Sequence, residues 1–380
     1  MALSLLYVVI TLRFAKGLFG KDHSPSDRRP FVSIVIAARN EEAFLERCLE
    51  SLTSQTYPPD RLEIIVVDDD STDRTKEIIA SFEAVTYLRP AAQFADYAAK
   101  KRPLATGIAA ARGEIILTTD ADCTVSPGWA ETIVAEFNED VSVVLGYSKL
   151  GDPGRGLLEQ FQAFDFQALL SAAAGAAGTG TAWAATGQNF AYRKRLYSQV
   201  GGLSRIADRA SGDDVLLLQL FRGAGAKAAF CFEPSAHVTT WRHESLLGLI
   251  NQRKRWASNV SAQVRLNPLF FAHILGLFCA AILPITLLVS PNSFFLETLF
   301  LVGLRIFADV SVLLLAARRL RIPSHILFYP AWLLLQIPYV MVVGIGGILS
   351  GYDWKDRHHT TINRSVYPDH EQPDGNHVTM

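Results

Sequence analysis

From Phe31 onward the chain alternates short apolar, β-branched runs with amphipathic stretches, and this alternation predicts its architecture. FVSIVIAA (31–38) reads as a buried strand. NEEAFLERCLESLTSQ then reads as a helix with Asn40 at its N-cap, acidic residues in its first turn and apolar residues at helical spacing. YPPD is a turn, LEIIVVDD (62–69) a second buried strand, STDRTKEIIASF a helix opened by hydroxyl residues, and VTYLR a short strand. PLATGIAAARG predicts a helix ended by Gly113, EIILTTD a strand, GWAETIVAEF a helix and VSVVLGY another strand. Elements in this order predict an α/β fold, a mostly parallel twisted sheet with helices on both faces. In such sheets ligands bind beyond the carboxyl ends of the strands. Asp68, Asp69 and Asp120 stand at such ends.

The pattern changes after residue 150. GLLEQFQAFDFQALL predicts a helix, whereas SAAAGAAGTGTAWAATG lacks the bulk for a core of its own and is expected to be mobile beside a site. SGDDVLLLQLFRGAGAK predicts a helix beginning just after Asp213 and Asp214; AAFCFEPSAHVTTW is strand-like, and ESLLGLINQRKRWASNV is an amphipathic basic helix. Three apolar segments, near 268–290, 294–316 and 326–349, are each long enough to span a bilayer. ALSLLYVVITL (2–12), continued through Phe19 with its basic residues snorkelling, predicts an N-terminal membrane anchor. Arg318, Arg319 and Arg321 place the loop between the last two segments in the cytoplasm, on the same side as the middle domain. Pro330 and Pro338 are positioned to bend the last segment. The expected division is an anchor at 1–20, a catalytic domain at 30–243, an interfacial helix at 244–265, three spans within 266–350 and a polar tail at 351–380.

Composition supports this division. The 380 residues are 49% hydrophobic, and the excess lies in the first twenty residues and the last third. A net charge of -1 gives no electrostatic footprint for nucleic acid. The four cysteines, Cys48, Cys123, Cys231 and Cys279, have neither zinc-ligand spacing nor the density of a disulfide framework, and read as reduced thiols.

In EIILTTDADCTV, Asp120 and Asp122 stand where a buried strand ends. Two carboxylates about 5 Å apart repel by about 3 kcal/mol at an effective dielectric near 20. Water would dissipate that repulsion, and a shared cation would turn it into binding. Other motifs accompany this pair in a fixed order: VSIVIAARNEE, IIVVDDDSTDRT, the DxD of Asp120–Asp122, GDD at 212–214 and QRKRW at 252–256. Over roughly residues 31–260 the chain resembles the family 2 glycosyltransferases, inverting enzymes of GT-A fold that use nucleotide sugars, including ceramide glucosyltransferase-like and carotenoid glycosyltransferase-like members. A lone DxD is a weak signal, whereas DxD with a later acidic motif and QxxRW is specific.

The resemblance implies roles. Ala37, Ala38, Arg39, Asn40 and Glu41 would line the nucleotide pocket. Asp69, with Asp68 beside it, would meet a uracil imide N–H, which a carboxylate can accept. Asp70 stands where the family commonly has Gly or Asn. Lys100 would face the nucleotide, with Lys101 and Arg102 adjacent. Asp120, Ala121 and Asp122 would hold the diphosphate through Mg²⁺ or Mn²⁺, with Asp120 and Asp122 as ligands. Asp214, preceded by Asp213, matches the general base. Gln252, Arg255 and Trp256 match QxxRW; Arg255 would neutralise the leaving diphosphate and Trp256 stack on acceptor or sugar. Arg253, Lys254 and Arg255 could instead dock this helix on anionic headgroups. GQNFAYR (187–193) resembles the stretch that shapes the acceptor side. His237 reads as structural. Arg305 and Asp309, four apart in an apolar helix, read as an intrahelical pair.

The expected protein is therefore an integral membrane glycosyltransferase, its catalytic domain cytoplasmic at a bacterial inner membrane. Its partners would be a nucleotide sugar donor, UDP-linked, and a lipid acceptor; the sequence leaves its oligomeric state open. Competing readings are a processive polysaccharide synthase and a non-catalytic sugar-nucleotide-binding scaffold. Three spans make a thin wall for a polymer channel, and a scaffold has no need of the base. A dehydrogenase is excluded because no GxGxxG follows the first strand.

Overall fold

The β-branched runs become the central strands of one sheet. In the computed structural model, which describes residues 1–19, 26–152, 154, 156–289, 295–349, 352–354 and 357–359, helix α1 (Ala2–Gly17) precedes that sheet. Next come β1 (Val32–Ala38), α2 (Leu45–Thr53), β2 (Leu62–Asp68), α3 (Thr75–Ala80), β3 (Val85–Leu88), α4 (Lys101–Ala110) and β4 (Ile115–Thr118). The middle of the chain adds β5 (Thr124–Val125), α5 (Trp129–Ala135), β6 (Val141–Gly146), β7 (Ser148–Leu150), α6 (Leu157–Gly178), β8 (Phe190–Arg193), α7 (Lys194–Gln199), α8 (Val215–Gly223), β9 (Lys227–Cys231) and β10 (Val238–Thr240). Five helices close it: α9 (Leu246–Ala257), α10 (Val260–Leu266), α11 (Pro268–Val289), α12 (Phe295–Leu320) and α13 (Tyr329–Leu349). Beyond them, Tyr352–Trp354 pairs with Arg357–His359; residues 20–25, Lys355, Asp356 and the rest of the polar tail lie outside the described residues.

The seven-stranded sheet has the order β3-β2-β1-β4-β8-β6-β9. Only β8 runs against its neighbours β4 and β6. Strand β1 pairs with β2 on one side and β4 on the other, with Ala38 opposite Asp68 and Val35 opposite Thr118. The chain reverses direction across the sheet at β1, so the carboxyl ends of these three strands open one crevice. Ile34, Ile36, Leu45, Leu49 and Trp129 fill one face, and Val35, Ile65, Leu104, Ile108 and Leu217 the other. Each such side chain contributes about 1.5–3 kcal/mol by leaving water.

Three local expectations need correcting. Asn40 does not cap α2, which starts at Leu45; it has φ +51°, and its side-chain oxygen accepts the Thr72 N–H at 2.9 Å. Helix α4 stops at Ala110, ahead of Gly113; a methyl group at Gly113 would lie 2.5 Å from Ser33 N, so close approach to β1 explains that glycine. The alanine-rich segment is ordered: α6 continues through it to Gly178 because α1 crosses it there. A methyl group at Gly175 would lie 2.7 Å from the Phe14 carbonyl oxygen, and one at Gly178 would lie 2.2 Å from that of Gly17.

Among the described residues, two helical stretches are long and apolar enough to cross a membrane, Phe295–Leu320 and Ile326–Gly344; the first expected span is represented by a shorter apolar stretch, Pro268–Leu283. Helix α1 has 16 residues, short of the roughly 20 a span requires, and packs against α6, α11 and α12. Leu296, Phe300, Phe307 and Leu314 point outward from α12. On its inner side Arg305 and Asp309 pair at 3.5 Å, and the Tyr7 and Tyr329 hydroxyls donate to Asp309. An apolar outside with a neutralised polar inside is the arrangement a lipid-facing helix requires.

Candidate active site

Asp120 and Asp122 lie just past β4, where the backbone leaves the sheet and turns into β5. Their carboxylate oxygens and the Cys123 sulfur lie within 4.8 Å of one another. Two hard oxygen donors beside a cavity suit Mg²⁺ or Mn²⁺; the buried Cys123 thiol, which donates to Asp122 Oδ1 at 3.5 Å, is a soft ligand and adds little for such an ion. Lys100, at the start of α4, donates to Asp120 and lies 3.7 Å from Asp213. Burial works against its charge, but Asp120 and Asp213 outweigh burial and raise its pKa. Lys101 points the other way, donating to the Arg209 and Ser211 carbonyls, and burial brings its pKa down to about 8.

The second acidic pair forms at the start of α8. Asp214 is its N-cap: Oδ1 accepts the Val215 N–H at 2.5 Å and Oδ2 the Gly187 N–H at 2.9 Å. Burial first, and the neighbouring Asp213 charge second, push the Asp214 carboxyl up to about 6. Burial opposes ionisation of Asp213 too, but Lys100, Lys101 and Arg255 outweigh it and hold that carboxyl below its usual range. Gly187 sits among these groups. A methyl group there would lie 3.3 Å from Lys100 Nζ, 3.5 Å from Asp213 Oδ2 and 3.9 Å from Asp120 Oδ1. DxD and GDD, nearly a hundred residues apart in sequence, thus share one centre.

Beyond β2, Asp69 is buried and its Oδ1 accepts from Arg102 Nε at 2.8 Å and Nη2 at 2.6 Å; Arg39 approaches Oδ2 at 3.8 Å. Asp70, at φ +59°, occupies the left-handed region, which explains the Gly or Asn common at this position. One cavity of about 840 Å³ brings together Ala38, Arg39, Glu41, Asp69, Lys100, Asp120, Ala121, Asp122, Asp213, Asp214, Gln252, Arg255 and Trp256. Asn40 and Asp68 do not line it. Asp68 accepts the Ser71 N–H at 3.0 Å and the Tyr87 hydroxyl at 3.4 Å, so both residues shape the turn after β2.

Within QRKRW the structure divides the labour. Arg253 is buried and pairs with Asp165 of α6 at 2.8 Å, which removes it from any docking on headgroups. Its guanidinium carbon lies 4.1 Å from the Trp256 ring centroid and fixes that indole. Gln252 accepts from Arg253 at 3.2 Å. His237 is buried with its ring edge-on to Tyr147, and burial brings its pKa down to about 4, as a structural histidine requires. Three contributors went unassigned on sequence: Arg102, Asp165 and Gly187. Gly187 had a signal in the GQNFAYR stretch and Arg102 in the basic run beside Lys100, whereas Asp165 lies in an unremarkable helical pattern.

The match to Glycosyl transferase family 2 covers residues 33–201. Over that segment, just under half of its length, the chain is a family 2 glycosyltransferase domain. It is 35% identical over 141 residues to glycosyltransferase AglE of Haloferax volcanii, covering 36% of this chain and 45% of that one. Identity is 30% over 242 residues to the probable glycosyltransferase YdaM of Bacillus subtilis, covering 60% and 54%. It is 34% over 115 residues to a β-monoglucosyldiacylglycerol synthase of a Nostoc species, covering 29% and 24%. The chain thus spans about half the length of the first two relatives. A mannosyltransferase from Pyrobaculum calidifontis, solved with GDP-mannose and Mn²⁺, superposes with a TM-score of 0.56 at 18% identity, covering 91% of this chain and 98% of that one. That likeness establishes a shared GT-A fold.

Proposed function

We propose that this chain is an inverting glycosyltransferase that moves a sugar from a nucleotide sugar, UDP-linked, to a hydroxyl of a membrane lipid at the cytoplasmic face of a bacterial inner membrane. The observation that carries this reading is the continuity of the cavity. The lining that holds Asp120, Asp122 and Asp214 also includes Phe270 and Ile274 of α11, Val312 of α12, and Trp332 and Val340 of α13. A lipid lying among these helices would present its hydroxyl to the base without leaving the bilayer.

Asp214 takes the proton of the acceptor hydroxyl as that oxygen attacks the anomeric carbon from the face opposite the diphosphate, which inverts the centre. Its two backbone N–H partners fix the carboxylate and leave its remaining lone pairs for the alcohol. Lys100 ties Asp120 to Asp213 and keeps a cation between the two acidic pairs. Arg255, whose charge reaches Asp213, meets the leaving diphosphate from the membrane side. Asp69 and Arg39 address the base end of the nucleotide. A divalent cation held by Asp120 and Asp122 would supply charge neutralisation to that diphosphate.

The test is direct. Membranes containing the full chain are incubated with labelled UDP-glucose, UDP-galactose or GDP-mannose, and labelled lipid is identified by mass spectrometry. One sugar per lipid from a UDP-linked donor is expected, abolished by chelation and restored by Mg²⁺ or Mn²⁺. Label in a long polysaccharide would favour a processive synthase, and nucleotide binding without transfer to any acceptor would favour a scaffold.

A further inference from the structure

Helix α13 is long and apolar enough to cross a membrane, yet both of its ends are fastened to the domain that carries the acidic motifs. Before it, Arg321 pairs with Glu233, just past β9, at 3.3 Å, and Gln167 of α6 donates to the Pro323 carbonyl at 2.9 Å. Along it, Trp332 Nε1 and the Tyr339 hydroxyl donate to one residue of α6, Asp165, at 3.3 and 3.2 Å. In its last turn a methyl group at Gly346 would lie 2.7 Å from Lys254 Cε, and one at Gly347 would lie 2.9 Å from the Lys254 carbonyl oxygen. The strand Tyr352–Trp354, which follows, packs on α9 as well.

Helix α9 fixes where that last turn stands. Gln252, Arg253, Lys254 and Arg255 follow one another on it, so it does not enter hydrocarbon. At its entrance the His243 N–H donates to Gln162 of α6, and Gln162 donates back to the His243 carbonyl, both at 2.9 Å. At its exit Arg209 donates to the Ser258 carbonyl at 2.8 Å. The 21 residues of α13 rise about 31 Å, close to the roughly 30 Å of a bilayer's hydrocarbon core. A crossing that began at the domain would carry Gly346 and Gly347 to the opposite surface, away from Lys254.

The outer face of α13 suits another placement. Pro330, Leu334, Pro338, Met341 and Val342 recur about once per turn and are exposed, while Tyr329, Trp332 and Gln336 are buried. The helix contains no Asp, Glu, Lys or Arg. Pro338 has no N–H to give the Leu334 carbonyl. A peptide oxygen left unpaired on a lipid-facing stripe is costly in mid-bilayer, whereas water reaches it among the headgroups. Val310 and Leu313 of α12 pack with Trp332 and Leu333, so the stripe continues the outward apolar face of α12. We infer that α13 lies along α9 at the membrane surface without crossing it. Its outer stripe rests in the acyl layer of the leaflet beside the catalytic domain, and the chain leaving it stays on the domain's side. Helices α11 and α12 then form a single crossing hairpin in place of three spans. The inference rests on the membrane reading above.

Sidedness tests it on the full chain. Lys76→Cys on α3, Phe295→Cys at the start of α12 and Asp353→Cys beyond α13 are each expressed in bacterial cells, with the unaltered chain as the background for the native thiols. Sealed right-side-out and inside-out vesicles are treated with a membrane-impermeant maleimide. Asp353→Cys is expected to label in the same vesicles as Lys76→Cys, at least tenfold more than in the others, and Phe295→Cys in the opposite ones. Labelling of Asp353→Cys with Phe295→Cys, opposite to Lys76→Cys, overturns the inference and leaves the membrane reading intact. Depth is the second measurement. Spin labels on Leu334→Cys and Met341→Cys, in vesicles of phosphatidylethanolamine and phosphatidylglycerol, are expected about 5–10 Å below the headgroups by collision with oxygen and a nickel chelate. A label at Met341→Cys near the bilayer midplane overturns the inference. A chain that stays out of these vesicles overturns the membrane reading, and this inference with it.

Discussion

The role proposed for Asp214 is one that its surroundings favour. Burial and the adjacent Asp213 charge raise its proton affinity, and two backbone N–H groups hold its orientation. A base must be ionised to work, and its carboxyl is pushed up to about 6, so the active form prevails above that pH and is lost below it. The profile of kcat/KM, which reports the free enzyme, should rise through about pH 6 and level off above it; a flat profile from pH 5 to pH 8 would exclude Asp214 as the base. Asp214→Asn keeps the size and the α8 cap but cannot take a proton. Turnover should fall by about 10²–10⁴-fold, the usual worth of a positioned base, with nucleotide affinity measured by calorimetry changing little. Near-normal turnover in that variant would move the base elsewhere.

Elements differ in how far the sequence revealed them. Strands β1, β2, β4 and β6 were legible because each is a mostly apolar, β-branched run bounded by turn residues, with burial on both faces over most of its length. The acidic motifs were legible because each lies at the end of such a run. The end of α6 was not, because its alanines and glycines serve a partner far away in the chain: α1 comes close enough that Gly175 has no room for a side chain. Nor could spacing reveal that the buried arginine of QRKRW is Arg253, since its partner Asp165 comes from another helix. The α1–α6 crossing makes its own prediction. Gly175→Val must push its side chain against the Phe14 carbonyl, and overpacking of this kind costs about 1–3 kcal/mol. The melting temperature in detergent should drop by a few degrees, whereas Gly223→Ala, where a methyl group meets nothing within 4 Å, should melt as the unaltered chain does. Equal melting of the two would mean that the helices do not approach this closely.

In the whole molecule the catalytic domain and the apolar helices form one continuous body. Helix α1 lies between α6 and the C-terminal helices, Arg319 donates to the Leu18 carbonyl at 2.8 Å, and Arg321 in the loop after α12 pairs with Glu233 at 3.3 Å. The basic loop therefore sits against the domain that carries the acidic motifs. With the acidic centre and the apolar helices sharing one cavity, the proposed donor binding and acceptor access become separable by mutation. Ala173 of α6 is buried on the cavity wall, remote in sequence from every acidic motif. Ala173→Trp would fill part of the proposed lipid route while leaving Asp69, Asp120 and Asp122 untouched. Transfer to lipid should fall at least a hundredfold, and calorimetric affinity for the nucleotide should stay within threefold. Transfer to a short-chain alcohol such as octanol, which needs less of the route, should suffer less than transfer to dioleoylglycerol. If both acceptors lose activity equally in a variant that binds nucleotide normally, the acceptor reaches Asp214 by another path.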